Sequence, residues 1–315
     1  MKKKINLTNM TSVIALVVLC LVLSIAEPAF RSFGNLINIF QQVTVIAVIA
    51  LGINLVIFTG GIDISVGSVV AFTGIVMGKI IVEGGMPPFV GVLAALVIGL
   101  LCGTFNGVMI AKFKLQPMIA TLAMMSMARG AALTLADGQT ITGYSEGFRW
   151  IGVGVIPGTQ VPVQIVFMII FYLIAFYIMR YRKFGRYIYS IGGNEEATRL
   201  SGINTVQYKI MAYAISGFCA AIASVILVAK LNSAQSTAGL DYEMDAIASC
   251  VIGGSSLLGG FGSVWGTFVG AIIMIVIRNG LNLLNVSSNL QKLVIGVVIL
   301  LAVLADSLRH KDDAK

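Results

Sequence analysis

The chain has 315 residues, of which 58% are hydrophobic and only 11% charged, with a mean hydropathy of +0.97. Soluble domains carry about 25% charged residues, so this composition excludes one. The formal charge of +8 could suit nucleic acid. Its distribution argues otherwise, because the basic residues fall between apolar runs, as in the cytoplasmic loops of membrane proteins.

A membrane-crossing helix needs about 20 largely apolar residues. In chain order, the runs 11–27, 36–58, 64–82, 89–111, 117–136, 162–179, 208–229, 241–257, 264–284 and 291–306 predict ten spans. The expected fold class is an all-α polytopic membrane protein forming one transmembrane domain over 1–315. The run 241–257 is the weakest, because it opens on Asp241, Glu243 and Asp245. The N-terminal Lys2, Lys3 and Lys4, followed by an apolar stretch and Ser24-Ile25-Ala26, also have the form of a signal peptide. With both termini cytoplasmic, the inner side collects Lys2, Lys3, Lys4, Lys112, Lys114, Arg180, Arg182, Lys183, Arg186, Arg199, Lys209, Arg309, Lys311 and Lys315, fourteen of the 21 basic residues. The outer side then carries Glu27, Glu83, Asp137, Glu146 and the three acids at 241–245.

Two connections are long. The loop 137–162 is Gly-rich, contains Trp150 and is expected outside; the loop 180–209 is expected inside. Small residues let membrane helices approach closely, and Gly99 with Gly103, or Gly266 with Gly270, have the spacing for it. Other glycines interrupt apolar runs, at Gly60-Gly61 and at Gly253-Gly254 with Gly259-Gly260. Each break is followed by Gly-Ser-Val, at Gly67-Ser68-Val69 and Gly262-Ser263-Val264. These echoes suggest a two-half internal repeat, a common plan for transporters.

Catalytic and metal chemistry find little support. The four cysteines, Cys20, Cys102, Cys219 and Cys250, sit singly in apolar segments, and the one histidine, His310, is in the charged tail. No metal site and no cofactor are expected. The closest approach to a G-x-x-x-x-G-K-[ST] phosphate loop, at 74–80, is one residue short and lacks the hydroxyl that would meet magnesium. This chain is therefore not expected to hydrolyse ATP itself.

Asp63 is the one acid deep in apolar sequence, and intramembrane carboxylates point to function. It has two readings. It can accept hydrogen bonds at the start of the helix that follows, or it can line a pathway with Ser65 and Ser68. Asn54, Asn106 and Arg129, with Gln41, Gln42, Thr44, Thr73 and Ser126, are polar positions inside spans. They fit interhelical hydrogen bonds or the neutral wall of a pathway for an uncharged hydroxylated solute. Asp241, Glu243 and Asp245 fit a solvated helix start or an external docking and gating surface.

The loop 180–209 holds a short capped helix. Asn194 is a good N-cap, Glu195 and Glu196 suit the first turn, Arg199 stands four residues from Glu195, and Gly202 supplies a stop. Ala197, Thr198, Leu200 and Ser201 complete it. So short a helix is marginal alone, so it docks on its own protein or on a partner.

The segment GRYIYSIGGNEEATRLSGI at 185–203 resembles the cytoplasmic loop of ribose-type sugar permeases, the membrane subunits of bacterial ATP-binding-cassette importers. GGIDISVGSVVAFTG at 60–74, LQPMIATLAMMSMARG at 115–130, SAQSTAGLDYEMDAIASCVIGGSSLLGG at 233–260 and NGLNLLNVSSNLQ at 279–291 are similar to the same family, in the same order. The resemblance implies a permease homodimer in the cytoplasmic membrane, surrounded by membrane lipid and bound to a cytoplasmic ATPase with two cassettes. An extracytoplasmic sugar-binding protein would deliver the cargo. Residues 194–202 would be the coupling helix that enters a groove on the ATPase, and transport would proceed by alternating access. Permeases for ribose, galactose, xylose, allose, inositol and autoinducer-2 share much of the pattern, and 233–291 is most similar to the ribose members. An ion-coupled secondary transporter, an intramembrane enzyme and a branched-chain amino-acid permease are the rival expectations.

Overall fold

The computed structural model describes residues 7–313, with side chains described for 12–304, 306 and 307. Lys2, Lys3, Lys4 and Lys315 lie outside the described residues, as do the side chains of Arg309, His310 and Lys311.

The chain is helical almost throughout. In order come α1 (Leu7–Ala26), a short 3-10 turn (Pro28–Arg31), α2 (Phe33–Phe58) and α3 (Val66–Gly78), which runs into a π turn (Lys79–Glu83). Then follow α4 (Pro88–Ala111), α5 (Pro117–Ala136), the two-residue strand β1 (Ile141–Thr142), α6 (Glu146–Val153) and α7 (Val163–Tyr181). Next are α8 (Lys183–Gly193), α9 (Glu195–Leu200), α10 (Thr205–Leu231), β2 (Ser233–Ala234), α11 (Tyr242–Ile252), α12 (Val264–Leu283) and α13 (Ser288–Asp313). β1 and β2 pair antiparallel, Ile141 opposite Ala234.

Local chemistry sets the ends. Ser32 accepts from the Asn35 amide to start α2, Pro88 and Pro117 occupy first helical positions of α4 and α5, and Ser263 accepts from the Gly266 amide to start α12. The break after α2 needs Gly60 at φ +78, where side chains are strained.

Seven helical segments are long and apolar enough to cross a membrane: α2, α3 with its π turn, α4, α5, α7, α10 and α12. The described apolar stretches of α1 and α13 (Ser12–Ala26 and Ser288–Leu304) are shorter. The eighth expected span departs from the sequence reading. α11 has 11 residues, a rise of about 16 Å against a hydrocarbon core of about 30 Å. Gly253 stops it, and the segment 235–241 that leads into it is a series of turns, with Gly239 and Asp241 at positive φ.

α2, α3 and α10 form the centre, each two-thirds buried over its apolar stretch, whereas α4, α5 and α7 are 22–28% buried and ring them. α4 and α10 meet backbone to backbone. A Cβ on Gly99 would stand 2.5 Å from the Gly217 carbonyl oxygen, one on Gly107 2.7 Å from the Ile210 Cα, and one on Gly103 would strike the Tyr213 carbonyl. Gly266 and Gly270 of α12 similarly admit the backbone of Gly253 and Ser249 at the end of α11. Both glycine spacings therefore mark true close approaches.

Candidate functional site

The break at 59–65 makes the first site. Non-helical backbone inside a membrane must find its hydrogen bonds within the protein. Asp63, 1% exposed, supplies the acceptors. Its Oδ1 accepts from the Ser65 amide at 3.1 Å and the Ser65 hydroxyl at 2.6 Å, and its Oδ2 accepts from the Ser216 hydroxyl of α10 at 2.8 Å. The Asn106 amide of α4 donates to the Ser65 hydroxyl oxygen at 3.0 Å. Asp63 thus closes a turn just outside α3, and Ser65, the N-cap residue, makes no side-chain cap bond itself. The arrangement ties α3 to both α4 and α10.

Three of the six pathway candidates, Asp63, Ser65 and Asn106, meet in this network. Ser68 lies buried in the first turn of α3, and Asn54 is fully buried within α2, where its side-chain nitrogen and oxygen have no hydrogen-bond partner among the described residues. Arg129 is elsewhere. It donates to the carbonyls of Ser236 at 2.5 Å and Ala238 at 2.9 Å. An arginine within a span therefore satisfies the turn backbone ahead of α11, as Asp63 satisfies the break ahead of α3. The two helix starts also touch, since a Cβ on Gly67 would collide with the Gly239 carbonyl and the Glu243 carboxylate. Ser216 escaped the sequence reading, because one serine in a run of small residues carries no distinguishing pattern.

Asp245, 1% exposed, is paired with Arg278 of α12 at 2.7 Å, which takes it off any docking surface. Asp241 pairs with Lys292 of α13 at 2.9 Å, with both side chains largely in the open. Glu243 is half-buried against α3.

The segment 180–209 holds two helices where the sequence suggested one. α8 was missed because its charged residues mask an amphipathic pattern. Its buried Ile188 and Ile191 face the bundle, and Gly185 packs on the Met179 backbone. α9 is capped as its residues suggest: the Asn194 side chain accepts from the Ala197 amide at 2.9 Å, and Gly202 turns the chain at φ +82. The i,i+4 pairing of Glu195 with Arg199 that their spacing allows does not form. Arg199 instead reaches Glu196 at 2.7 Å, and Glu195 pairs with Lys209 of α10. The i,i+3 partner is nearer the arginine, while Glu195 points back toward the bundle. Burial acts to raise the Glu195 carboxyl, but the Lys209 bond and charge, with Lys114 nearby, outweigh it and hold it below the ordinary value. Thr198 is buried, its hydroxyl 2.9 Å from that of Ser190 on α8, while Leu200 is 77% exposed.

α8 also touches the breaks. The Tyr189 hydroxyl donates to the Gly262 carbonyl at 3.1 Å, its ring lies 4.6 Å from that of Phe58, and burial pushes its phenol up to about 12. The Gly260 amide donates to the Phe58 carbonyl at 3.0 Å. A Cβ on Gly259 would stand 2.7 Å from the Gly60 nitrogen and 3.0 Å from the Gly192 Cα. The two glycine breaks and the end of α8 therefore meet at one junction.

Residues 35–303 match the family model described as branched-chain amino acid transport system, permease component. The ribose import permease of Escherichia coli K12 is 48% identical over 96% of this chain and 94% of its own length. The ribose import permease of Bacillus subtilis 168 is 42% identical over 93% and 91%, and the D-allose transport system permease of E. coli K12 is 34% identical over 91% and 88%. No solved structure matches. Full-length similarity and a bundle of apolar helices agree, and the chain belongs to this family of transport-system permease components.

Proposed function

We infer that this chain is the membrane subunit of an ATP-driven ribose importer, a multi-pass protein of the bacterial cytoplasmic membrane that carries out no covalent chemistry. The observation that carries this reading is near-full-length identity of 48% and 42% to ribose import permeases of two distant bacteria. In this reading two copies of the permease bind a cytoplasmic ATPase with two cassettes, and an extracytoplasmic binding protein delivers the sugar.

The geometry supports a role for α9 in coupling. It is capped at both ends, braced by α8 and Lys209, and presents the exposed Leu200 and the Glu196–Arg199 pair outward. ATP-driven movement of α9 would pass through α8 to the junction at Phe58, Gly60 and Gly259, and so to both broken helices. Alternating access would follow from their displacement.

The test is the double substitution Glu196→Arg with Arg199→Glu. It preserves an i,i+3 ion pair while reversing the charges offered to a partner. In vesicles with the ATPase and binding protein, ribose uptake should fall at least tenfold with membrane insertion intact. Normal uptake would sink the coupling role. Loss of ribose uptake in the unmodified protein, with transport of another monosaccharide, would sink the cargo.

A further inference from the structure

A recess of about 470 Å³ opens where the end of α7, the middle of α8 and the start of α12 converge. It is lined by Phe176, Met179, Arg180, Arg186, Tyr189, Ser263 and Trp265, among others. Arg180 and Arg186 are exposed, and among the described residues neither has an ion pair or a hydrogen bond. Arg182, between them in sequence, is instead engaged over the Tyr177 ring. Two planar guanidinium groups thus face one cavity with no anion of the protein's own.

The position of the recess identifies the anion. Arg180 is in the last turn of α7 and Trp265 in the first turn of α12, both helices long enough to cross a membrane. Tryptophan and arginine at such ends occupy the headgroup layer. Phe176, one turn deeper than Arg180, extends the lining by about 6 Å toward the hydrocarbon. The N-terminal end of α12, where Ser263 caps only the Gly266 amide, favours negative charge at the same place. Basic pockets between helices at the cytoplasmic side hold anionic lipid headgroups, and guanidinium forks suit a phosphodiester better than an ammonium does.

We propose that this recess binds the phosphodiester headgroup of one anionic phospholipid of the cytoplasmic leaflet, with Arg180 and Arg186 as its phosphate ligands and Trp265 and Phe176 against its glycerol and upper acyl carbons. The proposal rests on placing the α8–α9 end of the bundle at the cytoplasmic face. The occupant would bridge α7, α8 and α12 beside the junction through which we infer coupling passes. It would thus hold α8 in place when phosphatidylglycerol is present.

The test uses the full chain in nanodiscs of defined composition. Native mass spectrometry after extraction should retain about one phosphatidylglycerol per permease and not phosphatidylcholine. The variant Arg180→Gln with Arg186→Gln should lower that retention at least tenfold. Lys112→Gln with Lys183→Gln, an equal loss of charge at the same end, should leave it unchanged. A second measurement needs no arginine variant: in a Trp150→Phe background, brominated phosphatidylglycerol should quench Trp265 more strongly than brominated phosphatidylcholine. Excess glycerol phosphate or inorganic phosphate should not displace the lipid. Equal retention of both lipids, or equal quenching by both, overturns the proposal. So does an arginine variant that keeps its lipid but no longer co-purifies with the ATPase, which would assign the arginines to a protein interface. Failure of ribose transport leaves these lipid measurements unaffected, so the two readings fail separately.

Discussion

Gly192→Ala is the most direct probe of the junction. The added methyl would strike the Phe58 carbonyl oxygen and the Gly260 nitrogen and lie 3.0 Å from the Gly259 carbonyl carbon. All three are backbone atoms, so no rotamer change relieves the contact. Inserting a methyl into a packed site costs about 1–3 kcal/mol. At about 1.4 kcal/mol per tenfold, that is a shift of roughly 5- to 150-fold away from the packed junction. Gly193 is the control, because its added Cβ meets nothing within 4 Å. Both substitutions gain about 1 kcal/mol of helix propensity, so the comparison isolates the collision. With reconstituted ATPase and binding protein, Gly192→Ala should lower ribose transported per ATP hydrolysed by about tenfold, while Gly193→Ala should stay near the unmodified ratio. Equal ratios for the two variants would refute the idea that α8 acts through this contact.

Asp63→Ala should lower the thermal unfolding midpoint in detergent, because it strands the Ser65 amide and the Ser65 and Ser216 hydroxyls. Each lost bond to a charged group is worth about 1.5–3 kcal/mol, and Asp63→Asn, which retains an acceptor, should lose less. Arg129→Gln should raise hydrogen exchange across 235–241 and leave exchange at 59–65 unchanged, since only the first segment loses donors to its carbonyls. For Glu195, a carboxyl held below its ordinary value stabilises the fold fully above about 4.5 and loses that contribution as pH falls through the lower folded value. Exchange of the α9 amides, corrected for intrinsic rate, should therefore rise below about pH 4.5, and Glu195→Gln should abolish that pH dependence.

Much of this architecture was legible because bilayer physics leaves strong marks. Runs of 20 apolar residues, glycines four apart and an Asn followed three residues later by the amide it caps are local patterns, and the structure contains each of them. Tertiary context set the rest. The run 241–257 reads as a span by hydropathy, but Gly253 ends its helix, and the helix is preceded by turns whose carbonyls are held by Arg129, more than 100 residues away. Arg129 alone looks like a pathway charge; only the fold reveals its partners. α8 hides its apolar stripe among Lys183, Arg186 and two tyrosines. Ser216 gains meaning from Asp63, 153 residues distant.

The glycine contacts between α4 and α10 carry a consequence for motion. With Gly99, Gly103 and Gly217 leaving no side chain between the two backbones, these helices cannot slide or roll against each other without main-chain collision. They behave as one double-thickness beam. Asn106 and Ser216, which grip the Asp63 turn from either side, are fixed to that beam. The turn at Asp63 is therefore anchored on two faces of one stiff unit, so a displacement of either α4 or α10 alone would have to break main-chain packing before it reached the turn.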